Sequence, residues 1–167
     1  MSTATHNLSD YTPGEVPSGS GRRFALIISE WNKEITEILA EGAYDTLVSF
    51  GVDPGNIFTQ WVPGSFELPL GAQFILEHKP VDAVILLGCI IQGETRHFDF
   101  ICQGVTQGTM EVGLKFSKPV VFGILTTLTL AQAKDRAGGK HGNKGVEAAV
   151  TALKMVSLKE KSQKHKK

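Results

Sequence analysis

The side chains best suited to chemistry in this sequence are concentrated in short loops that follow apolar runs. The densest such loop is Gly88 to Asp99, which carries a carboxylate, a hydroxyl, a guanidinium and an imidazole within a few positions. Its histidine, His97, is predicted to lie in the first turn of a helix, where the positive end of the dipole favours neutral imidazole and attracts anions. This loop is therefore the first candidate for a small-molecule site that moves protons.

Three further loops are expected at the same edge of the protein, because the carboxyl ends of parallel strands lie side by side. They are Trp31-Asn32, Gly64 to Glu67, and the segment from Phe122 to Thr127. Their aromatic rings, hydroxyl and carboxylate suit a planar heterocycle that bears hydroxyl groups. Exposed N–H groups beside Gly93, with Arg136 nearby, suit a phosphate.

Each of these residues also has an ordinary structural explanation. A single Trp or Phe is more often a core residue, and a carboxylate or threonine at a helix start is more often a dipole partner or an N-cap. A lone histidine is more often structural, and Arg136 has Asp135 and Asp99 as alternative ion-pair partners. The glycine-rich segment Gly138 to Gly145 has neither the order of a dinucleotide fingerprint nor the ending of a P-loop. The residue types alone therefore indicate a small-molecule site without naming its reaction.

Successive strand–helix units must position these loops. The apolar runs predict four buried strands, which are Arg23 to Ser29, Ile57 to Val62, Val81 to Ile91 and Val120 to Leu125. The predicted helices are Lys33 to Phe50 with Asn32 as its N-cap, a segment ending near His78, Phe98 to Phe116, Leu130 to Ala137, and Val146 to about Leu158. Short connections and right-handed crossovers then predict an α/β fold, a three-layer sandwich of flavodoxin-like type whose four-stranded parallel sheet is flanked by helices.

Apolar residues at helical spacing support two of these helices. In the first helix they form one stripe of Ile35, Ile38, Leu39, Leu47 and Val48. In the helix after the histidine loop they are Phe98, Ile101, Cys102, Val105, Met110 and Leu114.

A single domain is predicted over residues 22–158. Residues 1–21, rich in Ser, Thr, Gly and Pro, are expected to form a flexible N-terminal arm, and residues 159–167 a solvated basic C-terminal tail. The tail holds five Lys and one Glu of a chain with no net charge, so the remainder carries about −4. We expect no nucleic-acid partner for so short a tail without aromatic residues.

The sequence also favours a cytoplasmic protein without membrane contact. No apolar run approaches the roughly 20 residues of a membrane span, and the N-terminus lacks the features of a secretion signal or an organelle presequence. The two cysteines, Cys89 and Cys102, lack metal-ligand spacing and are expected to be buried thiols.

Three motifs resemble, in order and spacing, those of the 6,7-dimethyl-8-ribityllumazine synthase family. They are GSFELP at 64–69, GETRHFD at 93–99, and the segment from Arg136-Ala137-Gly138 through Gly142-Asn143-Lys144-Gly145, within a similarity that covers about residues 22–158. The resemblance implies the penultimate step of riboflavin biosynthesis. In that step 5-amino-6-(D-ribitylamino)uracil condenses with 3,4-dihydroxy-2-butanone 4-phosphate, releasing water and phosphate, without a cofactor or a metal.

The resemblance also implies a role for each matching position. His97 would transfer protons, and Trp31 would stack on the pyrimidine ring. The ribityl chain would be held by Ser65, Phe66 and Glu67, and the ring pocket would be lined by Cys89, Ile90 and Ile91. The butanone phosphate would be bound by Glu94, Thr95 and Arg136, with Lys144 near it, and Phe122 would close the site from an adjacent subunit.

The same resemblance implies self-assembly. Family members form homopentamers, and twelve pentamers often build a hollow 60-subunit icosahedral capsid, to which a kink in the Gly138 to Asn143 segment would contribute. Two other classes of function remain as alternatives. A flavin- or pterin-binding carrier would need Glu67 but not the set of His97, Thr95 and Arg136, and a purely structural cage would need neither.

Overall fold

A parallel sheet forms the centre of the molecule. The structure, a computed structural model, describes Tyr11 and residues 14–164. The strands are β1 (Phe24–Ser29), β2 (Ile57–Val62), β3 (Ala83–Ile91) and β4 (Val120–Thr127), in the order β2-β1-β3-β4. Every neighbouring pair in this sheet is parallel, and helices cover both faces. The predicted α/β fold, a three-layer sandwich of flavodoxin-like type, is confirmed.

The helices form the two outer layers. They are α1 (Lys33–Ser49), α2 (Leu68–His78), α3 (His97–Phe116), α4 (Leu130–Arg136) and α5 (Lys144–Lys164). Helices α1 and α5 pack on one face of the sheet, and α2 and α3 pack on the other. Between α4 and α5 the chain forms a small antiparallel ribbon of β5 (Ala137–Gly139) and β6 (Gly142–Asn143).

The central strand β1 shows why its sequence is uninterrupted and apolar. Phe24, Leu26 and Ile28 point into the layer formed by α1 and α5, whereas Ala25 and Ile27 point into the layer formed by α2 and α3. All of these side chains are almost fully buried. A strand covered on both faces has no solvent side that would favour polar residues.

Both helices that the apolar spacing predicted are present, but only part of each stripe is buried. Ile38 and Val48 of α1 are exposed, because the buried stripe follows Ile35, Leu39, Ala43 and Leu47. In α3 the deeply buried residues are Val105, Thr109 and Val112, whereas Met110 and Leu114 are 63% and 71% exposed. Helical spacing identifies an apolar face, but it does not show whether the same chain covers that face.

Several element ends also differ from the sequence prediction. Strand β3 begins at Ala83 rather than at Val81, and β4 continues to Thr127. Helix α5 begins at Lys144 and continues to Lys164, so its end lies within the segment predicted to be a tail. Arg22 explains part of this extension, because its guanidinium donates two hydrogen bonds to the carboxylate of Glu160.

The segment predicted to be an arm contributes to the core. Val16 is only 7% exposed and packs with side chains of the α1 and α5 layer. The ring of Tyr11 contacts Phe50 edge-on, with 5.2 Å between the ring centroids, and the Gly19 N–H donates to the Phe50 carbonyl. Residues 1–10, 12–13 and 165–167 lie outside the described residues, and the domain boundary at residue 22 stays a prediction.

Helices α1 and α5 approach each other most closely at Gly145. A Cβ atom on Gly145 would lie 1.9 Å from the Leu39 carbonyl oxygen, which belongs to the backbone and has little freedom to move. The Gly145 N–H also donates to the Asn143 side chain at 2.7 Å, and the Asn143 amide donates to the Ile38 carbonyl. This contact sets the position of the ribbon and of the first turn of α5.

We expect the Gly145→Ala substitution to lower the free energy of unfolding by about 3 kcal/mol, because the overpacked methyl group meets backbone atoms. Chemical denaturation monitored by circular dichroism measures the change. Gly93→Ala is the matched control, since a Cβ atom there has no atom within 4 Å. Equal stability of the two variants would contradict the proposed role of the close approach.

Candidate active site

A cleft of about 360 Å³ opens at the carboxyl ends of β1, β2 and β3. The structure brings nine of the predicted site residues together around it. Those residues are Trp31, Ser65, Phe66, Glu67, Cys89, Ile90, Ile91, Thr95 and His97. They come from three separate chain segments, which follow β1, β2 and β3, and the parallel sheet brings the ends of these strands together.

The 3₁₀ turn Ser65–Glu67 packs closely against two glycines of other elements. A Cβ atom on Gly88 of β3 would lie 2.7 Å from the Ser65 hydroxyl oxygen, and one on Gly104 of α3 would lie 3.0 Å from the Phe66 ring. The Ser65 hydroxyl is buried and has no hydrogen-bond partner within the described part of the chain. A buried hydroxyl without a partner is unusual, and this one belongs to a residue that lines the cleft.

Helix α3 begins at the cleft with His97 as its first residue. The His97 N–H points to the Thr95 hydroxyl oxygen at 3.4 Å, while Arg96 occupies the N-cap position without a side-chain cap. Thr95 therefore acts on the helix start only through this long contact. His97 and Glu94 are both exposed, and the 20-residue helix directs the positive end of its dipole toward them.

The loop between β1 and α1 contributes the aromatic wall. Trp31 is 72% exposed, and its backbone N–H donates to the Pro63 carbonyl at 3.2 Å. The prediction that Asn32 caps α1 with its side chain is wrong. Asn32 occupies the N-cap position in the left-handed conformation, and its amide donates to the Cys89 carbonyl at 2.8 Å.

The structural explanations for two charged residues have different outcomes. Glu67 occupies the N-cap position of α2 without a side-chain cap, so it lies at a helix start, where the dipole favours a carboxylate. Among the described residues, Asp135 pairs with Lys140 and Asp99 with Arg96. Arg136 instead donates from Nη1 to the Gln132 carbonyl at 3.2 Å, so neither predicted ion pair forms.

Cys89 is a buried thiol at the floor of the cleft. It is 1% exposed, and burial, with a smaller contribution from the charge of Glu34, raises its pKa to about 12. The thiol form therefore predominates at neutral pH, whereas nucleophilic chemistry needs the thiolate. Burial also raises the pKa of Cys102, and both cysteines are free.

Four predicted site residues do not line this cleft. Glu94 belongs to the same loop as Gly93 and Thr95, which do line it, and the other three lie elsewhere in this chain. Phe122 is not in a loop, because it lies within β4 and pairs with Leu86 of β3. Phe122 and Lys144 line a second cavity of about 920 Å³ along the edge of the sheet where β4 has no further neighbour. Arg136 lies at the end of α4. None of the three lines the cleft of Trp31 and His97.

The ion-pair partner of Lys144, which is Glu147, was not predicted from the sequence. The Lys144 ammonium makes a short ion pair with the carboxylate of Glu147, which is only 6% exposed. Both side chains border the cavity along β4. The signal was present, because residues three apart at a helix start face the same side.

The strand order, the helices on both faces and the cleft at the carboxyl ends define an α/β protein with a small-molecule site. A sequence profile of 6,7-dimethyl-8-ribityllumazine synthase matches residues 21–160. The chain is 60% identical to the 6,7-dimethyl-8-ribityllumazine synthase of Cytophaga hutchinsonii, a match that covers 94% of this chain and 98% of that protein. The enzymes of the same name from Porphyromonas gingivalis and Phocaeicola vulgatus are 55% and 50% identical, over 95% and 98% of this chain and 98% of each enzyme.

The chain therefore belongs to the 6,7-dimethyl-8-ribityllumazine synthase family. This confirms the predicted activity, the transferase reaction that forms 6,7-dimethyl-8-ribityllumazine in riboflavin biosynthesis. Within residues 14–164, no helix has the length and apolar character needed to cross a membrane.

Cys89 should resist thiol reagents in the folded protein, because it is buried and its pKa lies far above neutral. We expect iodoacetamide at pH 8 to leave Cys89 unmodified for hours and to modify it within minutes in denaturant. Mass spectrometry of the Cys102→Ser variant isolates the reaction at Cys89. Rapid modification of the native variant would show that the thiol is accessible and ionised.

Proposed function

We propose that the cleft of Trp31 and His97 is where 5-amino-6-(D-ribitylamino)uracil condenses with 3,4-dihydroxy-2-butanone 4-phosphate. The observation that carries this proposal is the convergence of nine residues from three segments around one opening. The reaction needs a flat surface for the pyrimidine, polar groups for the ribityl chain and a proton-transfer group. Residues suited to each of these tasks line the cleft.

The heterocycle is proposed to stack on Trp31 above the floor formed by Cys89, Ile90 and Ile91. The exposed indole face offers the flat apolar surface that a pyrimidine requires. Ser65 and Glu67 then bind ribityl hydroxyls, with Phe66 beside them. The unpartnered Ser65 hydroxyl supports this assignment, because a ligand hydroxyl would complete its hydrogen bonding.

The second substrate is proposed to bind at the start of α3. Backbone N–H groups around Gly93, Glu94 and Thr95 lie where the helix dipole attracts a phosphate. His97 would move the protons required as the amine attacks the ketone, water leaves to form the imine, phosphate is eliminated and the ring closes with loss of a second water. Holding both substrates in one cleft supplies much of the rate.

The proposed site is completed by a second copy of the chain. Phe122, Lys144 and Arg136 would approach the cleft of a neighbour, where Phe122 covers the ring and the two cations bind the phosphate. Two exposed apolar surfaces support this arrangement. Phe66, Leu70 and Phe74 form a ridge at helical spacing that starts in the cleft, and Met110, Leu114 and Leu158 border the cavity along β4.

A contact between these two different surfaces is heterologous, and such a contact forms a closed ring when the rotation between neighbours returns to the first copy. We propose that it closes here as a homopentamer. We also propose that pentamers build a 60-subunit icosahedral capsid in the cytoplasm, with the ribbon of β5 and β6 at contacts between pentamers. Small-molecule substrates and other copies of the chain are then its proposed partners.

His97→Asn should lower kcat by one to three orders of magnitude while the fold is retained, because general acid–base catalysis contributes about 10²–10⁴-fold. Growth of the lumazine absorbance with both substrates measures the rate above the uncatalysed background. His78→Asn, at the far end of α2, is the matched control and should retain the wild-type rate. A wild-type rate for His97→Asn would remove His97 from the mechanism.

A shared site predicts complementation between inactive variants. His97→Ala and Arg136→Ala chains, unfolded together and reassembled, should recover about one quarter of wild-type activity, since one site in four would draw both native residues from different chains. Each variant reassembled alone is the control. No recovery from mixed oligomers would place both residues in the site of a single chain.

A further inference from the structure

Asn32 has a backbone conformation that its position in the chain does not require. It precedes the first turn of α1, where an asparagine normally adopts an extended conformation and caps the helix with its side chain. Instead its φ and ψ angles are 59° and 44°, and its side chain makes no capping bond. The other non-glycine residue with positive φ in the described part of the chain is Ser117, at a helix C-terminus, where this conformation is common.

The side chain of Asn32 is used to continue the sheet. Strand β1 pairs with β3 as far as Ile28 and Leu87, whereas β3 continues to Ile91. The Cys89 carbonyl therefore lies beyond the last paired residue of β1. The Asn32 amide donates to it at 2.8 Å, and so takes the place of the next strand residue. Without this bond a largely buried carbonyl would lose its partner on that side.

Two bonds in opposite directions fix the loop that carries Trp31. On one side the backbone N–H of Trp31 donates to the Pro63 carbonyl. On the other side the side-chain amide of Asn32 donates to the Cys89 carbonyl. The Thr36 hydroxyl adds a third bond, to the Ser29 carbonyl at 2.8 Å. Because Trp31 is 72% exposed, packing does little to orient its ring. The backbone must therefore set the direction of the side chain.

We propose that Asn32 is a positioning residue for the stacking wall of the active site. Its left-handed backbone turns Trp31 toward the cleft, and its amide holds the Trp31 loop at a fixed distance from the floor at Cys89. The left-handed conformation is needed to bring the amide to the carbonyl of β3 while the following residue enters the helix. This inference rests on the proposed function only where it concerns the substrate that stacks on Trp31.

Two substitutions distinguish the contribution of the Asn32 backbone conformation from that of its side-chain amide. Asn32→Gly retains access to the left-handed conformation but removes the hydrogen bond. Asn32→Asp retains the shape of the side chain and also tolerates the left-handed conformation. It places a carboxylate oxygen next to the Cys89 carbonyl oxygen, however, so no hydrogen bond forms. We expect both variants to raise KM for the ribitylated pyrimidine about tenfold while kcat changes less than about twofold, because a displaced platform weakens binding more than proton transfer.

Fluorescence tests the same inference without any substrate. Trp31 and Trp61 are the two tryptophans of the chain, so in a Trp61→Phe background the emission reports on Trp31 alone. We expect the time-resolved anisotropy of Trp31 to decay faster on the nanosecond scale in Asn32→Gly. Asn56→Gly, in the turn before β2, makes the same chemical change away from the cleft and should leave both KM and anisotropy unchanged.

The outcomes distinguish the positioning role of Asn32 from the stacking role of Trp31. Unchanged anisotropy in Asn32→Gly would overturn the positioning role, whatever the kinetics show. A faster decay with unchanged KM would also overturn it, provided that Trp31→Ala itself raises KM. If Trp31→Ala leaves KM unchanged, the assignment of the stacking wall fails, whereas the effect of Asn32 on the Trp31 loop is still decided by the anisotropy.

Discussion

The unequal length of neighbouring strands shapes the functional end of this molecule. Strands β1 and β2 each have six residues, whereas β3 has nine and β4 has eight. The end of β3 therefore extends past β1 and presents backbone groups that β1 cannot pair. Buried backbone groups require partners, so the loops after β1 and β2 must fold over this end. The cleft is the space that remains between those loops and the projecting strand.

Glycine determines how closely the loops approach that strand. At Gly88 a side chain would meet both the Ser65 hydroxyl and the Leu68 side chain at less than 3 Å. At Gly104 a side chain would press on the Phe66 ring at 3.0 Å. Both glycines therefore allow the Ser65–Glu67 turn to approach without displacing the side chains that face them. The depth of the cleft thus depends on two positions that carry no chemistry of their own.

Much of the fold and of the cleft could be predicted from the sequence. The strands were predicted within two residues at each end, because β-strands buried on both faces stand out as apolar runs between turn residues. The grouping of Trp31, Ser65 and His97 followed from the rule that parallel strands end at one edge. The exposure of Met110 and Leu114 could not be predicted, because periodicity does not reveal which apolar face lacks a cover.

The role of Asn32 escaped prediction for a different reason. Asparagine before a helix has two good uses, an N-cap and a left-handed turn, and local sequence favours the first. The second is selected by the Cys89 carbonyl, which lies 57 positions away in the chain and becomes available only after the sheet has formed. Local preference therefore yields to a long-range backbone requirement at the wall of the cleft.

The distribution of charge between the two cavities bears on how such a site would work. The cleft of Trp31 contains His97 and Glu67, whereas Lys144 lies in the other cavity, where the carboxylate of Glu147 neutralises it in the isolated chain. An anionic phosphate at the start of α3 would offer Lys144 a second anion once another chain brings that cavity alongside. Assembly would then join a proton-transfer group to a cationic pocket, and neither half alone would hold both substrates. In such an assembly the exposed apolar ridge of Phe66, Leu70 and Phe74 would bear on catalysis as well as on stability, because it would lie at the contact between the two halves.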